Sequence, residues 1–477
     1  MAAVEQCLQP PLLRSTVPRT RLAVSAVAVL ALVSTLAGVG AAAAPNKASL
    51  VPLFQSYQAP PGLGDSAGEP TLGINPKTGA VLFQAYTETL RVTGFDKKGK
   101  GTATWELGNF PTPQPISLDP ILRTDPDTGR TFASQLLLAC SQAGFTDDDA
   151  RTFTLSSGCG PGSAFDHQSV GFGAYVENSP LVKNPVANYP NVVYYCAQDV
   201  ASAKCSVSND GGLTFPYTGV AYTTATCELG GIFGHLKDAP DGTVYLPPRS
   251  CGDTVNNTEI TGVSVSQDNG LTWTLRKAPN TITGDAGHPS VGVGTTGDVY
   301  LAYGGPRDGK TVGQSGPPMM VLSKNKGKTW TAPVDVGKDK AITNTRFPLA
   351  VAGAPGQAAV AYLGSTTGGD GSAKAFAGRW DLYVSYTKDF GKTWRTTKAT
   401  SDPVQVGSVC TGGTTCGNDR NLLDFNDMVL DSKTGRVVIA IADGCPQADD
   451  CDTRIRRQKA TIVRQVGGPS LLAPVKK

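Results

Sequence analysis

The sequence predicts an all-β protein, a β-propeller of about seven four-stranded blades, with six blades and an accessory unit as the alternative. Three observations carry that prediction. One polar turn recurs along the chain. An apolar strand–turn–strand unit stands upstream of each copy. Glycine and proline punctuate the whole, with 56 and 34 copies among 477 residues, far more than a helical protein tolerates.

The turn follows Ser/Thr-x-Asp-x-Gly-x-Thr-Trp/Phe. It is written "SNDGGLTF" from Ser208, "SQDNGLTWT" from Ser266, "SKNKGKTW" from Ser323 and "TKDFGKTW" from Thr387. The third-position residues Asp210, Asp268, Asn325 and Asp389 lie 57 to 64 residues apart. "TDDDARTF" from Thr146 fits with Ala150 in the glycine place, and "FDKKGKGTATW" offers Asp96 as a looser copy. The Asp or Asn oxygen accepts backbone N–H bonds inside the turn. Glycine supplies a positive φ. Threonine and the aromatic residue then open a strand.

The second unit is clearest in "GHPSVGVGTTGDVYLAYGG" (287–305) and returns in six other places, from "EPTLGINPKTGAVLFQAY" to "NDMVLDSKTGRVVIAIADG". Strands at this period with turn punctuation signal a propeller. The last unit stops one strand short after "KATIVRQVG", and "ASLVPLFQSY" (48–57) is available to close the ring.

Residues 1–44 stand apart. Arg14, Arg19 and Arg21 precede an apolar run ending in alanines before Pro45, the pattern of a secretory signal cleaved near Ala43 or Ala44. The expected domains are therefore a signal over 1–44 and one propeller over 45–477, secreted and with no membrane segment after cleavage. The formal charge of +3 falls further with the leader and argues against nucleic acid as a partner. Cys7 leaves with the leader, and the other ten cysteines stand as sequence neighbours: Cys140/Cys159, Cys196/Cys205, Cys227/Cys251, Cys410/Cys416 and Cys445/Cys451. In an exported chain these are expected disulfides.

The turns at 208–215, 266–273, 323–330 and 387–394 resemble the Asp-box, or BNR, repeats of sialidase-like propellers. That resemblance implies a glycan-directed protein. For an active sialidase it implies three arginines on the substrate carboxylate, a tyrosine nucleophile activated by a glutamate, and an aspartate as acid or base. "TRFP" (345–348) is similar to the family's Arg-x-Pro element but falls in the sixth unit. Arg91, Arg249, Arg307 and Arg346 lie in or near loops of one face, and Glu69, Glu177 and Glu228 are candidate partners for a tyrosine. No spacing selects a conventional sialidase set among them.

With strands A to D running outward from the channel, the Asp-box is the C-to-D turn and lies opposite the starts of the A strands. The boxes are thus scaffold, and chemistry is expected at the other face, where long loops converge. Aligning the A-strand starts places Glu69, Asp119, His167, His235, His288, Phe347 and Asn426 in one register, with Arg346 and Asp427 alongside. All three histidines of the chain occupy it. His167, His235 and His288, with Glu69 and Asp119, are candidate catalytic groups. Arg346, Asn426, Asp427 and Arg307 are candidate substrate-binding groups. The three imidazoles are also candidate ligands for a divalent transition metal. The plain alternative for each is a polar strand cap bonded to the next blade. The functional expectation is a secreted propeller that hydrolyses or binds glycan at the channel mouth. The other readings are a metal-assisted polysaccharide lyase and a non-catalytic propeller that binds glycan or an extracellular protein.

Overall fold

The computed structural model describes residues 51–472, apart from 97–99, 111–116, 138–139, 159–165, 228–232, 254–257, 447–450 and 452–456. The leader at 1–44, Cys159 and Glu228 lie outside the described residues.

Seven antiparallel sheets are present. Blade I is Thr71–Ile74, Val81–Ala85, Glu88–Thr93 and Thr104–Leu107. Blade II is Leu118–Thr124, Thr131–Leu137, Cys140–Thr146 and Thr154–Leu155. Blade III is Asp166–Ala174, Asn191–Gln198, Ser202–Ser208 and Tyr217–Thr223. Blade IV runs from Lys237–Asp238 through Val244–Leu246 and Thr258–Ser266 to Thr274–Ile282. Its second strand breaks at Pro247 and Pro248, which cannot donate ladder bonds, and resumes as Cys251–Asp253 on the same neighbour. Blade V is Ser290–Val293, Val299–Gly304, Pro318–Ser323 and Val334–Asp335. Blade VI is Asn344–Ala352, Ala358–Ser365, Arg379–Thr387 and Arg395–Lys398. Blade VII takes Asp427–Leu430, Val437–Asp443 and Lys459–Gly467 from the C-terminal end and Leu53–Gln58 from the N-terminal end. The ring therefore has seven blades, and the early strand closes it as expected.

Neighbouring blades share their cores. Leu72, Phe83 and Val92 of blade I pack with Val438, Ala440 and Ile462 of blade VII, and similar apolar layers join the other blades. Near the axis the innermost strands approach so closely that a side chain has no room. A Cβ at Gly73 would lie 1.9 Å from Thr124 Oγ1.

The recurring turn has one hydrogen-bond pattern throughout. In blade IV, Ser266 Oγ donates to Asp268 Oδ1 (2.8 Å) and accepts from Gly270 N (2.8 Å), while Thr272 N donates to Asp268 Oδ1 (2.9 Å). The turn from Thr146 repeats this with Ala150 N on Thr146 Oγ1 (3.0 Å), Ala150 taking φ 64°. Each turn also grips the adjacent blade. Asn269 Nδ2 donates to Ala174 O (3.0 Å), Asn75 Nδ2 donates to Asp149 Oδ1 (2.6 Å), and Lys326 pairs with Asp241 (2.7 Å). These turns are structural ties on the face away from the candidate site.

Four of the expected disulfides are formed: Cys196–Cys205, Cys227–Cys251, Cys410–Cys416 and Cys445–Cys451. Cys196 and Cys205 face each other across paired strands of blade III. The Cys140/Cys159 pairing lies outside the described residues through Cys159. Among the described residues no helix is long and apolar enough to cross a membrane.

Candidate functional site

The starts of the innermost strands meet at one end of the channel. Glu69, Asp119, His167 and Phe347 all adopt left-handed backbone, with φ of 57°, 50°, 52° and 53°. For residues bearing a Cβ this conformation costs on the order of 1 kcal/mol each. Its repetition at one register in four blades marks a shared geometric demand on the ring.

Two clusters result. In the first, carboxylate oxygens of Glu69, Asp119 and Asp424 all lie within 4.8 Å of one another. Arg420 lies against them, 3.2 Å from Glu69 and paired with Asp424. Burial, and then the charges of Asp119 and Asp424, hold the Glu69 carboxyl well above the usual range, and Arg420 offsets this only in part. Glu69 shares a hydrogen bond with Asp119. Burial alone would raise Asp119 too, but the hydrogen bond and charge of His167 outweigh it and bring its pKa down to about 2. The bond runs between His167 Nδ1 and Asp119 Oδ2 at 3.0 Å. A chain of acid, carboxylate and imidazole thus links blades I, II and III.

In the second cluster the three imidazoles meet around Phe425. The His167 ring lies 4.6 Å from His288 and 6.4 Å from His235, and His235 lies 4.7 Å from Phe425. Burial, with the neighbouring charges of His167 and Arg249, pushes His288 well below the ordinary imidazole value. Burial also lowers His235, although Asp427, 3.5 Å from its Nδ1, opposes the shift. The three histidines do converge, as rings packed around Phe425. Among the described residues, the group whose donor atoms gather within 4.8 Å is the carboxylate trio, not the imidazoles. The rings pack against each other and Phe425, which directs their faces and edges to one another.

The expected substrate-binding groups are placed differently. Arg346 is fully buried. Its Nε donates to Val409 O (2.8 Å), and its Nη2 donates to Asp285 (3.1 Å), Ser315 (3.2 Å) and Ser372 (2.9 Å). Its Nη1 donates to the Asp285 and Thr345 carbonyls. With its donors committed, Arg346 ties loops together instead of offering a fork to ligand. Asn426 accepts from Ala442 N (3.2 Å), and Asp427 accepts from Leu72 N (3.2 Å); both are buried. Arg307 is exposed, in the long loop between the second and third strands of blade V, 3.4 Å from Ser315 O. Arg91 belongs to the outer part of blade I, paired with Glu106.

Sequence reasoning did not single out Asp424, Phe425 or Arg420 for the site. They arrive on the long connection into blade VII, which the Cys410–Cys416 bridge ties and which lays Phe425 among the imidazoles. Thr411 of the same segment donates to Asp285, and Asn421 donates to Ser408 O (2.8 Å). The available signal was its length.

No family model matches the chain, and no curated protein matches it. Among solved structures, a protein of unknown function from Dyadobacter fermentans is similar at 13% identity and a TM-score of 0.42, covering 87% of this chain and 100% of that one. A Hadza microbial sialidase is similar at 15% identity and a TM-score of 0.35, covering 83% of this chain and 64% of its own. This chain thus spans slightly less than two thirds of the sialidase. A variant of the Aleuria aurantia lectin in complex with α-methyl-L-fucoside is similar at 10% identity and a TM-score of 0.38, covering 76% and 96%. At these values the likenesses carry no argument about activity.

Proposed function

We propose that this protein acts on glycans at the channel mouth as a glycoside hydrolase, with Glu69 as the proton donor. What supports this most is the pairing of a buried Glu69, whose pKa is held well above the usual range, with Asp119, whose pKa is lowered to about 2 and which is anchored by His167. Protonation of a glycosidic oxygen needs a carboxylic acid that stays neutral near neutral pH beside a carboxylate that does not. Asp119 holds the Glu69 proton in position, and Asp424 is the second carboxylate within reach. Arg420, partly exposed above them, is the group that must swing aside for substrate to meet Glu69. With Arg249 it adds positive charge that suits an acidic glycan.

The test is a panel of neutral and acidic polysaccharides and glycoconjugates, scored for released reducing ends and for binding. The expected result is turnover that Glu69→Gln lowers by about 100-fold while binding persists. Turnover that Glu69→Gln leaves unchanged would overturn the assignment.

A second reading is a non-catalytic glycan binder. It draws on the burial of Glu69, Asp119 and His167, which suits a structural cluster as well as a reactive one. Binding across the panel with no turnover would select it.

A further inference from the structure

At the other end of the channel, where the innermost strands finish, lies a separate cavity of about 160 Å³. Arg123, Thr124, Lys237 and Asp238 line it beside the apolar ends of blades V to VII. Lys237 is 8% exposed. Its ammonium donates no hydrogen bond and forms no ion pair to any described residue, although Asp427 and Asp238 act on it from further away. Nη1 of Arg123 is buried and has no hydrogen-bond partner either.

Two cations that share one cavity without partners are costly to bury. The nearby carboxylates do not satisfy them. Asp427 is already engaged by Leu72 N and lies 3.5 Å from His235. Burial pushes Asp238 up to about 6 even with Arg123 and Lys237 beside it. Burial, and then the Arg123 charge, lower Lys237 to about 8, which leaves it mostly protonated at neutral pH. A single water needs about 10–15 Å³ of such space, so the cavity has room for an anion of several atoms. A partly dry wall also strengthens its attraction to charge.

We propose that this cavity binds a small oxyanion, held by the Lys237 ammonium and the Arg123 guanidinium. The site shares no residue with the glycan-directed cluster.

Calorimetric titration of the protein with inorganic phosphate, sulfate and acetate at low ionic strength tests the proposal and separates tetrahedral from planar anions. Saturable binding of one anion per chain is expected, weakened at least tenfold in both Lys237→Met and Arg123→Gln. Thermal unfolding of each variant checks that it is folded. Glu69→Gln should bind the anion as the unmodified protein does. No saturable binding of any of the three anions, or equal binding in the folded variants, overturns the proposal. If neither variant folds, crystals soaked in selenate decide the matter by anomalous scattering. Selenate at Lys237 supports the site, and selenate elsewhere or nowhere refutes it.

Discussion

Glu69 and Arg346 show how one buried side chain can matter in opposite ways. The raised pKa of Glu69 means that the folded state binds its proton more tightly than the unfolded chain does. Its contribution to stability is present at low pH and is lost as pH rises above the ordinary glutamate value of 4.5. Glu69→Gln removes that penalty, so its thermal midpoint at pH 7 should exceed that of the parent, and the gain should vanish near pH 4. An unchanged midpoint at pH 7 would mean that Glu69 ionises freely. His288 and His235 act in the opposite sense. Their folded pKa values lie below the ordinary 6.5, so the stability they contribute is present above that value and is lost as pH falls below it. Arg346 is a different case, since it is itself fully buried and removing it breaks its ion pair with the half-buried Asp285 together with its bonds to Ser315, Ser372 and Val409. Arg346→Met should cost about 3–5 kcal/mol in chemical denaturation. A loss below about 1 kcal/mol would return Arg346 to the pool of ligand-binding groups. The histidine register was readable in the sequence because each blade writes its strand start once. The commitment of Arg346 was not, because its partners Asp285, Ser315, Ser372 and Val409 come from four separate segments.

At the scale of the element, the recurring turn is a local device with a long-range use. Its hydroxyl, carboxylate and glycine follow from adjacent letters, so its form was legible without a fold. Gly270 sits at φ 83°, and a Cβ there would meet Val207 Cγ2 at 2.9 Å. Gly270→Ala should therefore destabilise the protein by about 1–2 kcal/mol, measured by denaturant midpoint. An equal midpoint would show that the turn tolerates a methyl here as it does at Ala150. What the turn holds was hidden, because Asn269 and Asp149 bond to a neighbouring blade. The setting of the Cys196–Cys205 bridge was likewise hidden. Two cysteines nine residues apart look like a loop staple, whereas a short hairpin sets them opposite each other in paired strands.

At the scale of the molecule, the ring is closed by one strand, Leu53–Gln58, hydrogen-bonded to Lys459–Gly467. Blade VII is the place where both ends of the chain meet, and a propeller without its closing strand leaves an open edge. Deleting residues through Gln58 should lower the thermal midpoint by at least 10 °C and promote association, read by calorimetry and light scattering. A monomer of unchanged midpoint would mean that the outer strand adds little. Closure also separates the two ends of the channel, with acids and imidazoles at one and Lys237 with Arg123 at the other.

By itself, the sequence determined the repeat, the number of strands in each unit, the closing strand and the register that brings three histidines to one rim. Each of these is written in spacings of a few residues or in a period of one blade, and hydrophobic alternation and turn chemistry are local physics. Only the tertiary structure decided which groups become partners. Glu69 meets Asp424, Asp119 meets His167, and Phe425 enters among the imidazoles, because the loop into blade VII crosses the mouth and burial there removes water. Burial and proximity across blades set the charge of Glu69 and the two lowered imidazoles, and neither quantity is carried by any single stretch of chain.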